Sequence, residues 1–273
     1  MSHSTARRRG AACRAIAAGL LLLSGLAGCA TPPANPAARA AFEETDDPLE
    51  PLNRKIFAVN QVIDTILLKP AAEVYVSVFP KIGRDALRHM LDNLKEPVIA
   101  INDTLQFEPK RTGITLGRFV VNSTVGIGGA LDVATKWGLQ KQTGDFGQTL
   151  YVWGVKRSPY LVLPILGPSN PRDAVGLGMD AYIDPFAYFA TAADADQLEI
   201  ARFVLDGIDQ RARVLDQLDQ LQKNSLDFYA QLRSLVQQKR AAELQRGAAP
   251  PTPENFYNVP NKAAPPAPGS TRS

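Results

Sequence analysis

Cysteine and histidine are the side chains most able to act as nucleophile, metal ligand or proton shuttle near neutral pH, and this chain has two of each: Cys13, Cys29, His3 and His89. A Ser-His-Asp triad would have to use His89, which stands beside Arg88 and between Asp85 and Asp92. No Gly-x-Ser-x-Gly elbow accompanies it, so His89 reads as a surface histidine. Zinc calls for three or four ligands where one histidine is offered. Acid pairs such as Asp46-Asp47 read as a solvated helix start. Gly126-Ile127-Gly128-Gly129 lacks both the Lys-Ser/Thr ending of a phosphate loop and the full Gly-x-Gly-x-x-Gly spacing, and Asp145-Phe146-Gly147 matches a kinase tripeptide without the other kinase motifs. No catalytic residue, metal or cofactor is assigned, and an enzyme is not expected.

Cys29 has a different chemistry. Arg7-Arg8-Arg9 and Arg14 precede an apolar run from Ala15 to Ala27 that contains no acid, and the small residues Ala27 and Gly28 lead into the cysteine. This is the layout of an export signal over residues 1–28, too short for the ~20 residues that span hydrocarbon. Leu26-Ala27-Gly28-Cys29 resembles the lipobox of bacterial lipoproteins. That resemblance implies a thioether lipid on Cys29, cleavage before it and acylation of the new amino terminus. Arg7-Arg8 fits a twin-arginine signal poorly. Ala30 follows, without the aspartate associated with inner-membrane retention in enteric lipoproteins, so the expected location is the periplasmic face of the outer membrane.

The cut changes the charge balance. The whole chain carries 30 basic and 27 acidic residues; residues 1–28 hold four arginines and no acid, so 26 basic against 27 acidic remain. No long Lys/Arg run survives to attract nucleic acid. Cys13 and His3 leave with the signal. Cys29 carries lipid, so no thiol is left for a disulfide or a zinc cluster.

The elements that would position any site are mostly helices. Residues 29–46, with Pro32, Pro33 and Pro36, read as a lipidated, disordered tether, and 247–273, with seven prolines, as a disordered tail. Asn255-Phe256-Tyr257 in the tail is either a docking motif or a chance aromatic pair. One folded body is expected over 47–246. Its first helix starts at Pro48 or Pro51 and places Leu52, Ile56, Val59, Val62, Ile63, Ile66 and Leu67 at helical spacing, with Asn53, Asn60 and Asp64 as a narrower polar stripe and Pro70 as its end. Nineteen residues reach roughly 28 Å, near the ~30 Å thickness of hydrocarbon, but a polar stripe facing lipid would be costly. Pro80 to Lys95, a helix from Pro97 and a helix from Pro109 follow, leading to Gly126-Ile127-Gly128-Gly129. Those glycines are a tight turn or a hinge. Thr149 to Trp153 and Tyr160 to Ile165 read as short extended pieces forming a hairpin or an ordered loop. From Asp194 to about Arg246 the helical period returns, with a kink or split at Asn224-Ser225.

Five runs in order carry a resemblance: Asp47-Pro48-Leu49-Glu50-Pro51-Leu52-Asn53-Arg54, Asn93-Leu94-Lys95-Glu96-Pro97, Arg118 through Gly126, Phe146-Gly147-Gln148-Thr149-Leu150, and Gly154 through Gly167. Over approximately 47 to 235 the chain resembles the MlaA (VacJ) family of outer-membrane lipoproteins. The resemblance implies an all-α, ring-like bundle of amphipathic helices embedded in the inner leaflet of the outer membrane. It implies partners too: a trimeric porin, outer-membrane phospholipid, and MlaC, a periplasmic lipid carrier. The implied function is removal of mislocalised glycerophospholipid from the outer leaflet through an amphipathic pore. On that reading Asn53, Asn60 and Asp64 are candidates for the lipid path and Gly126, Gly128 and Gly129 for its gate. The alternative is a lipoprotein that scaffolds porins or envelope complexes without moving lipid.

Overall fold

The computed structural model describes residues 47–245. Cys29, the signal, the tether and the Pro-rich tail with Asn255-Phe256-Tyr257 lie outside the described residues. Helix α1 (Glu50–Ile63) passes through a π-helical turn (Asp64–Leu68) into α2 (Lys69–Val78), so Pro70 does not end the helix as its type suggests. Proline at 70 has no N–H for the carbonyl four residues back. The wide turn resets the bonding, with the Lys69 N–H reaching the Asp64 carbonyl, and Pro70 then falls in the first turn of α2, where no N–H is needed.

Helix α3 (Lys81–Leu105) likewise runs straight through Pro97, where two separate helices were expected. One missing bond costs about 3 kcal/mol, a loss that packing along the whole of α4 (Pro109–Thr124) outweighs. Asp132 caps the short α5 (Val133–Lys136) by accepting the Thr135 N–H. Asp145 caps α6 (Phe146–Val152) by accepting the Gln148 N–H, which turns the expected extended piece Thr149 to Trp153 into helix and the turn after it. The second extended piece is a strand, but its hairpin partner is the segment after it and not the first piece: β1 (Leu161–Leu163) pairs antiparallel with β2 (Gly167–Ser169), Val162 opposite Pro168.

Side-chain caps from Asn170 and Asp184, each followed by proline, start α7 (Pro171–Ile183) and α8 (Pro185–Ala192), and α9 (Asp196–Arg213) follows. The α6–α7 crossing is close enough that a Cβ on Gly176 would meet the Gly147 backbone. Packing gathers the described residues into two compact units that divide between Arg213 and Val214. The second holds α10 (Leu215–Asn224) and α11 (Phe228–Leu244), split after Asn224 as expected, with Asp227 capping α11. No helix of the described residues is long and apolar enough to cross a membrane.

Burial in the first unit is inverted relative to a water-soluble protein. Fifteen polar or charged residues are buried against eleven apolar ones, while Val59, Val62, Ile66, Leu67, Val74 and Val78 along α1 and α2 stand at least half exposed. Buried charge is uncommon and exposed apolar patches beyond a few hundred Å² mark interaction surfaces. The helices therefore meet through polar stripes and turn their apolar faces outward.

Candidate functional site

The polar stripes are clearest between α3 and α4. Asn93, Glu96, Ala100 and Asp103 are buried at helical spacing on α3, and Thr115, Arg118 and Asn122 on α4. At one end, Asp103 takes the Arg111 guanidinium at 3.0 Å and the Thr115 hydroxyl at 3.0 Å. In the middle, Arg118 is 3 % exposed and joins four chain segments. Its Nε donates to Glu96 Oε1 at 2.8 Å, its Nη1 to the Thr135 hydroxyl at 2.9 Å and to the Leu139 carbonyl at 2.6 Å, and its Nη2 to both Asp132 oxygens at 3.3 Å. Only a planar guanidinium with five donors in a fixed fork can fill those positions together.

Directly beyond that network lies the glycine turn. The Gly128 N–H donates to the Ser123 carbonyl at 3.1 Å, the Gly129 N–H to the Asn122 carbonyl at 2.8 Å, and the Leu131 N–H back to the Gly126 carbonyl at 2.9 Å. Gly128 and Gly129 have φ of 65° and 91°, and Ile127 between the glycines shares the left-handed region at 54° with its side chain exposed. A β-branched residue there is strained. A Cβ on Gly129 would lie 2.6 Å from Asn93 Cβ, and one on Gly126 2.5 Å from the Asn122 carbonyl oxygen, whereas Gly128 faces open space. From below, α3 holds the turn: Asn93 Nδ2 donates to Ser123 Oγ at 2.9 Å and His89 Nδ1 lies 3.3 Å from the Ala130 carbonyl. Asn122 Nδ2 reaches Asp132 at 3.2 Å while its Oδ1 accepts the Ala134 N–H at 2.9 Å. Two buried acceptors in this cluster, Asn93 Oδ1 and Glu96 Oε2, have no hydrogen-bond partner. Among the described residues, no group of three or more histidines, cysteines or acids is placed to hold a metal ion.

The carboxylates of the α3 stripe and the α5 cap are pushed in opposite directions. Burial raises Glu96 and Asp103 above the ordinary carboxylate range, more than Arg118 and Arg111 lower them. Burial also acts on Asp132, but the Thr135 hydroxyl and N–H, the Asn122 amide and Arg118 outweigh it and bring the carboxyl down to about 2. The signs follow. Glu96 and Asp103 bind protons more tightly folded than unfolded, so their part of the stability grows as pH falls through their folded values and fades as pH rises. Asp132 contributes stability above its unfolded value of 3.8, and that share is lost as pH falls toward about 2. The melting temperature in detergent is expected to rise on mild acidification and then to fall below about pH 4. Glu96→Gln should flatten the rise; an unchanged profile would show that Glu96 does not titrate in this range.

The candidate lipid-path residues occupy a second polar seam. Asn53 is fully buried: its Nδ2 donates to Asp47 at 2.7 Å and to the Tyr160 carbonyl at 3.2 Å, and its Oδ1 accepts the Val162 N–H at 2.9 Å. Two helical turns on, Asn60 makes the same double bond to the hairpin, to the Leu163 carbonyl and from the Ile165 N–H, each at 2.8 Å. Asp64 takes both Nε and Nη2 of Arg211, at 2.7 and 3.1 Å. The two asparagines thus clip the hairpin to α1, and Asp64 ties the π-turn to α9. They do not gather around the glycine turn. Asn60→Ala is expected to leave the Ile165 N–H and the Leu163 carbonyl without their partner and to loosen the hairpin by about 1–3 kcal/mol, read as faster amide hydrogen exchange at Ile165 than at the α3–α4 amides. Equal exchange across both regions would mean that the clip is not what holds the hairpin.

Arg118, Glu96, Asn93 and Asp132 have no assigned role in the sequence, although Asn93 through Pro97 and Arg118 through Gly126 are among the runs that carry the resemblance. The available signal is their spacing, with polar residues at i, i+3 and i+7 on α4 (Thr115, Arg118, Asn122) and at i, i+3 and i+10 on α3 (Asn93, Glu96, Asp103). A polar stripe ordinarily reads as the solvent face, and here it is the buried one.

These runs are also where the chain matches known proteins. The family model described as MlaA lipoprotein matches residues 45–243. An uncharacterized protein of Rickettsia bellii is 39 % identical over 214 residues, 78 % of this chain and 80 % of its own length. The intermembrane phospholipid transport system lipoprotein MlaA of Haemophilus influenzae is 31 % identical over 239 residues, 86 % of this chain and 92 % of its own. A chain solved in work on the structural basis for maintenance of bacterial outer membrane lipid asymmetry superposes with a TM-score of 0.64 at 31 % identity, covering 72 % of this chain and 98 % of that one. A family match that spans nearly all the described residues, relatives aligned over most of their length and a shared helical fold agree that the chain belongs to the MlaA lipoprotein family.

Proposed function

We propose that the protein is a passive conduit that takes mislocalised glycerophospholipid from the outer leaflet of the outer membrane and hands it to an MlaC-like periplasmic carrier, so maintaining lipid asymmetry. The observation that carries this reading is the inverted burial: polar helix seams inside and apolar faces outside suit a body seated in a leaflet with a polar interior. The relatives' names, with their phospholipid transport system, support the same cargo. In this reading the helices form a ring-like body in the inner leaflet, held beside a trimeric porin and anchored by lipid on Cys29. The gate is the turn at Gly126, Gly128 and Gly129. Asn53, Asn60 and Asp64 serve the lipid path by fixing the hairpin and the π-turn along α1.

A charged head group with two acyl chains crosses only where polar and apolar walls meet, which is what a helix with Asn60 on one side and Val59 and Val62 on the other offers. Net direction comes from outside, because a path with no energy source follows the chemical potential across it. The test is deletion of the gene, an assay of outer-leaflet phospholipid, and complementation. The intact gene should restore a low surface level and Cys29→Ala should restore it only in part. A photoprobe at Val59, exposed beside Asn60, should cross-link phospholipid while leaving the hairpin clip intact. Normal surface phospholipid in the deletion strain, with disturbed porin assembly, would favour the scaffold role and overturn the conduit.

A further inference from the structure

Past the end of α3 the chain turns through Phe107, which has φ of 59° and a ring 83 % exposed. A left-handed aromatic residue is unfavourable in itself, and a bare ring in water adds to the cost. The conformation is nonetheless held, with the Phe107 N–H on the Thr104 carbonyl and the Glu108 N–H on the Asp103 carbonyl, both at 3.0 Å. Trp153, just past the end of α6, reaches the same place. Its indole N–H donates to the Leu105 carbonyl at 3.0 Å and its ring stands edge-on to Phe146, yet half of it stays exposed. Val155, Lys156 and Arg157 follow directly, all exposed, and Lys110 lies exposed three residues after Phe107.

The cations of this corner lack acids. Among the described residues no carboxylate pairs with Lys110, Lys156 or Arg157; Lys156 lies 3.8 Å over the Tyr151 ring instead. Arg172, also near that ring, is turned inward onto Asp173. Glu108 is the acid of the corner and has its own interaction within the protein. The result is an apolar ring held outward, an indole whose polar atom is already satisfied, and a rim of three cations without counter-charge. A protein partner recognises aromatic residues through a packed pocket, whereas Phe107 is 83 % exposed and Trp153 rests on Phe146 with half of its ring bare. A phospholipid interface has the matching chemistry, with aromatic rings at the boundary of head group and acyl chain and Lys and Arg on the phosphates.

We propose that this corner is an interfacial anchor, with Phe107 and Trp153 at the acyl boundary and Lys110, Lys156 and Arg157 on the phosphates of an anionic phospholipid leaflet. It rests on the reading of the body as seated in a leaflet, and sets the depth and tilt of that seating. The chain has two tryptophans, so Trp137→Phe leaves Trp153 as the sole indole of the full lipidated protein. A fluorophore on Ile66→Cys, on the exposed apolar face of the π-turn, reports the seating of the body separately. Both forms are reconstituted in phosphatidylcholine vesicles with or without about a third phosphatidylglycerol, carrying a nitroxide at the head group or at mid-chain. Trp153 should be quenched about twofold more by the shallow nitroxide than by the deep one, and more strongly in the anionic vesicles. Lys156→Ala with Arg157→Ala should abolish the anionic preference while leaving the label at position 66 quenched by the deep probe. If that label is quenched and Trp153 is not, the anchor is overturned and the seating stands. If neither is quenched, the seating itself fails and the anchor with it. Quenching of Trp153 that appears only once a periplasmic protein is added would assign the corner to a protein partner and overturn the proposal.

Discussion

Arg118→Ala is expected to cost about 3–5 kcal/mol and to lower the melting temperature of the detergent-solubilised protein by roughly 6–20 °C. The guanidinium is almost fully buried and is the cation hydrogen-bonded to Glu96, which is 1 % exposed. Without it Glu96 keeps its desolvation and loses its compensation, and the Leu139 carbonyl and Thr135 hydroxyl lose a donor. Removing one partner of a buried pair costs far more than the pair contributes, because the remaining charge is left in a poor solvent. Arg118→Lys should restore only a small part, since a single ammonium cannot reach Glu96, Asp132, Thr135 and Leu139 together. Arg118→Met combined with Glu96→Gln should be clearly more stable than Arg118→Met alone. Equal melting temperatures for the two would remove the claim that the uncompensated Glu96 carboxylate is the source of the loss.

The three glycines of the turn should separate fold from function. Gly126→Ala and Gly129→Ala are expected to cost about 2–5 kcal/mol each, because the new methyl group must enter space held by the Asn122 backbone or by Asn93, and Gly129 adds a left-handed φ. Both variants should fail to accumulate and leave outer-leaflet phospholipid at the deletion level. Gly128→Ala differs: its Cβ meets nothing within 4 Å, so only the left-handed backbone is charged against it, about 1–2 kcal/mol. That variant should fold. If the turn moves during lipid passage, alanine restricts the swing and surface phospholipid rises although the protein is present in normal amount. If the turn is only a tight corner, surface phospholipid stays normal, and that result would sink the gate. Ile127 shares the left-handed region with a φ of 54°, a strained conformation for a β-branched residue. Ile127→Gly should relax the strain while leaving every backbone bond of the turn in place.

Several elements were legible because their causes are local. The helical period over 51–69, the proline-started helix at Pro109, the turn at Gly126 to Gly129 and the break at Asn224-Ser225 all follow from spacing and from the backbone limits of proline and glycine. Two departures share one origin, because the local effect of a proline does not decide whether a helix continues through it. Pro70 and Pro97 lie within continuous helical stretches because a π-turn in one case and the long α3–α4 contact in the other absorb a missing hydrogen bond, and neither can be seen in a window of ten residues. Thr149 to Val152 is helical because Asp145 caps it, a signal that was present and outweighed by the glycines and prolines beyond.

The sequence by itself determined the class of molecule. Amphipathic helices and five ordered runs that resemble one family need no coordinates, because each depends on residue type and order along the chain, and the lipobox-like run ending at Cys29 is an expectation of the same kind. What only the tertiary structure decided is which face of each helix is inside. Periodicity reports that Asn93, Glu96, Arg118 and Asn122 lie on stripes, but a stripe looks the same whether it meets water or a partner stripe. The answer depends on the facing element: Glu96 is tolerable inside because Arg118 arrives from another helix, and the amide oxygens of Asn53 and Asn60 are satisfied by a hairpin more than a hundred residues away. Those pairings turn the apolar faces outward and give the protein the surface from which its place in a leaflet is proposed.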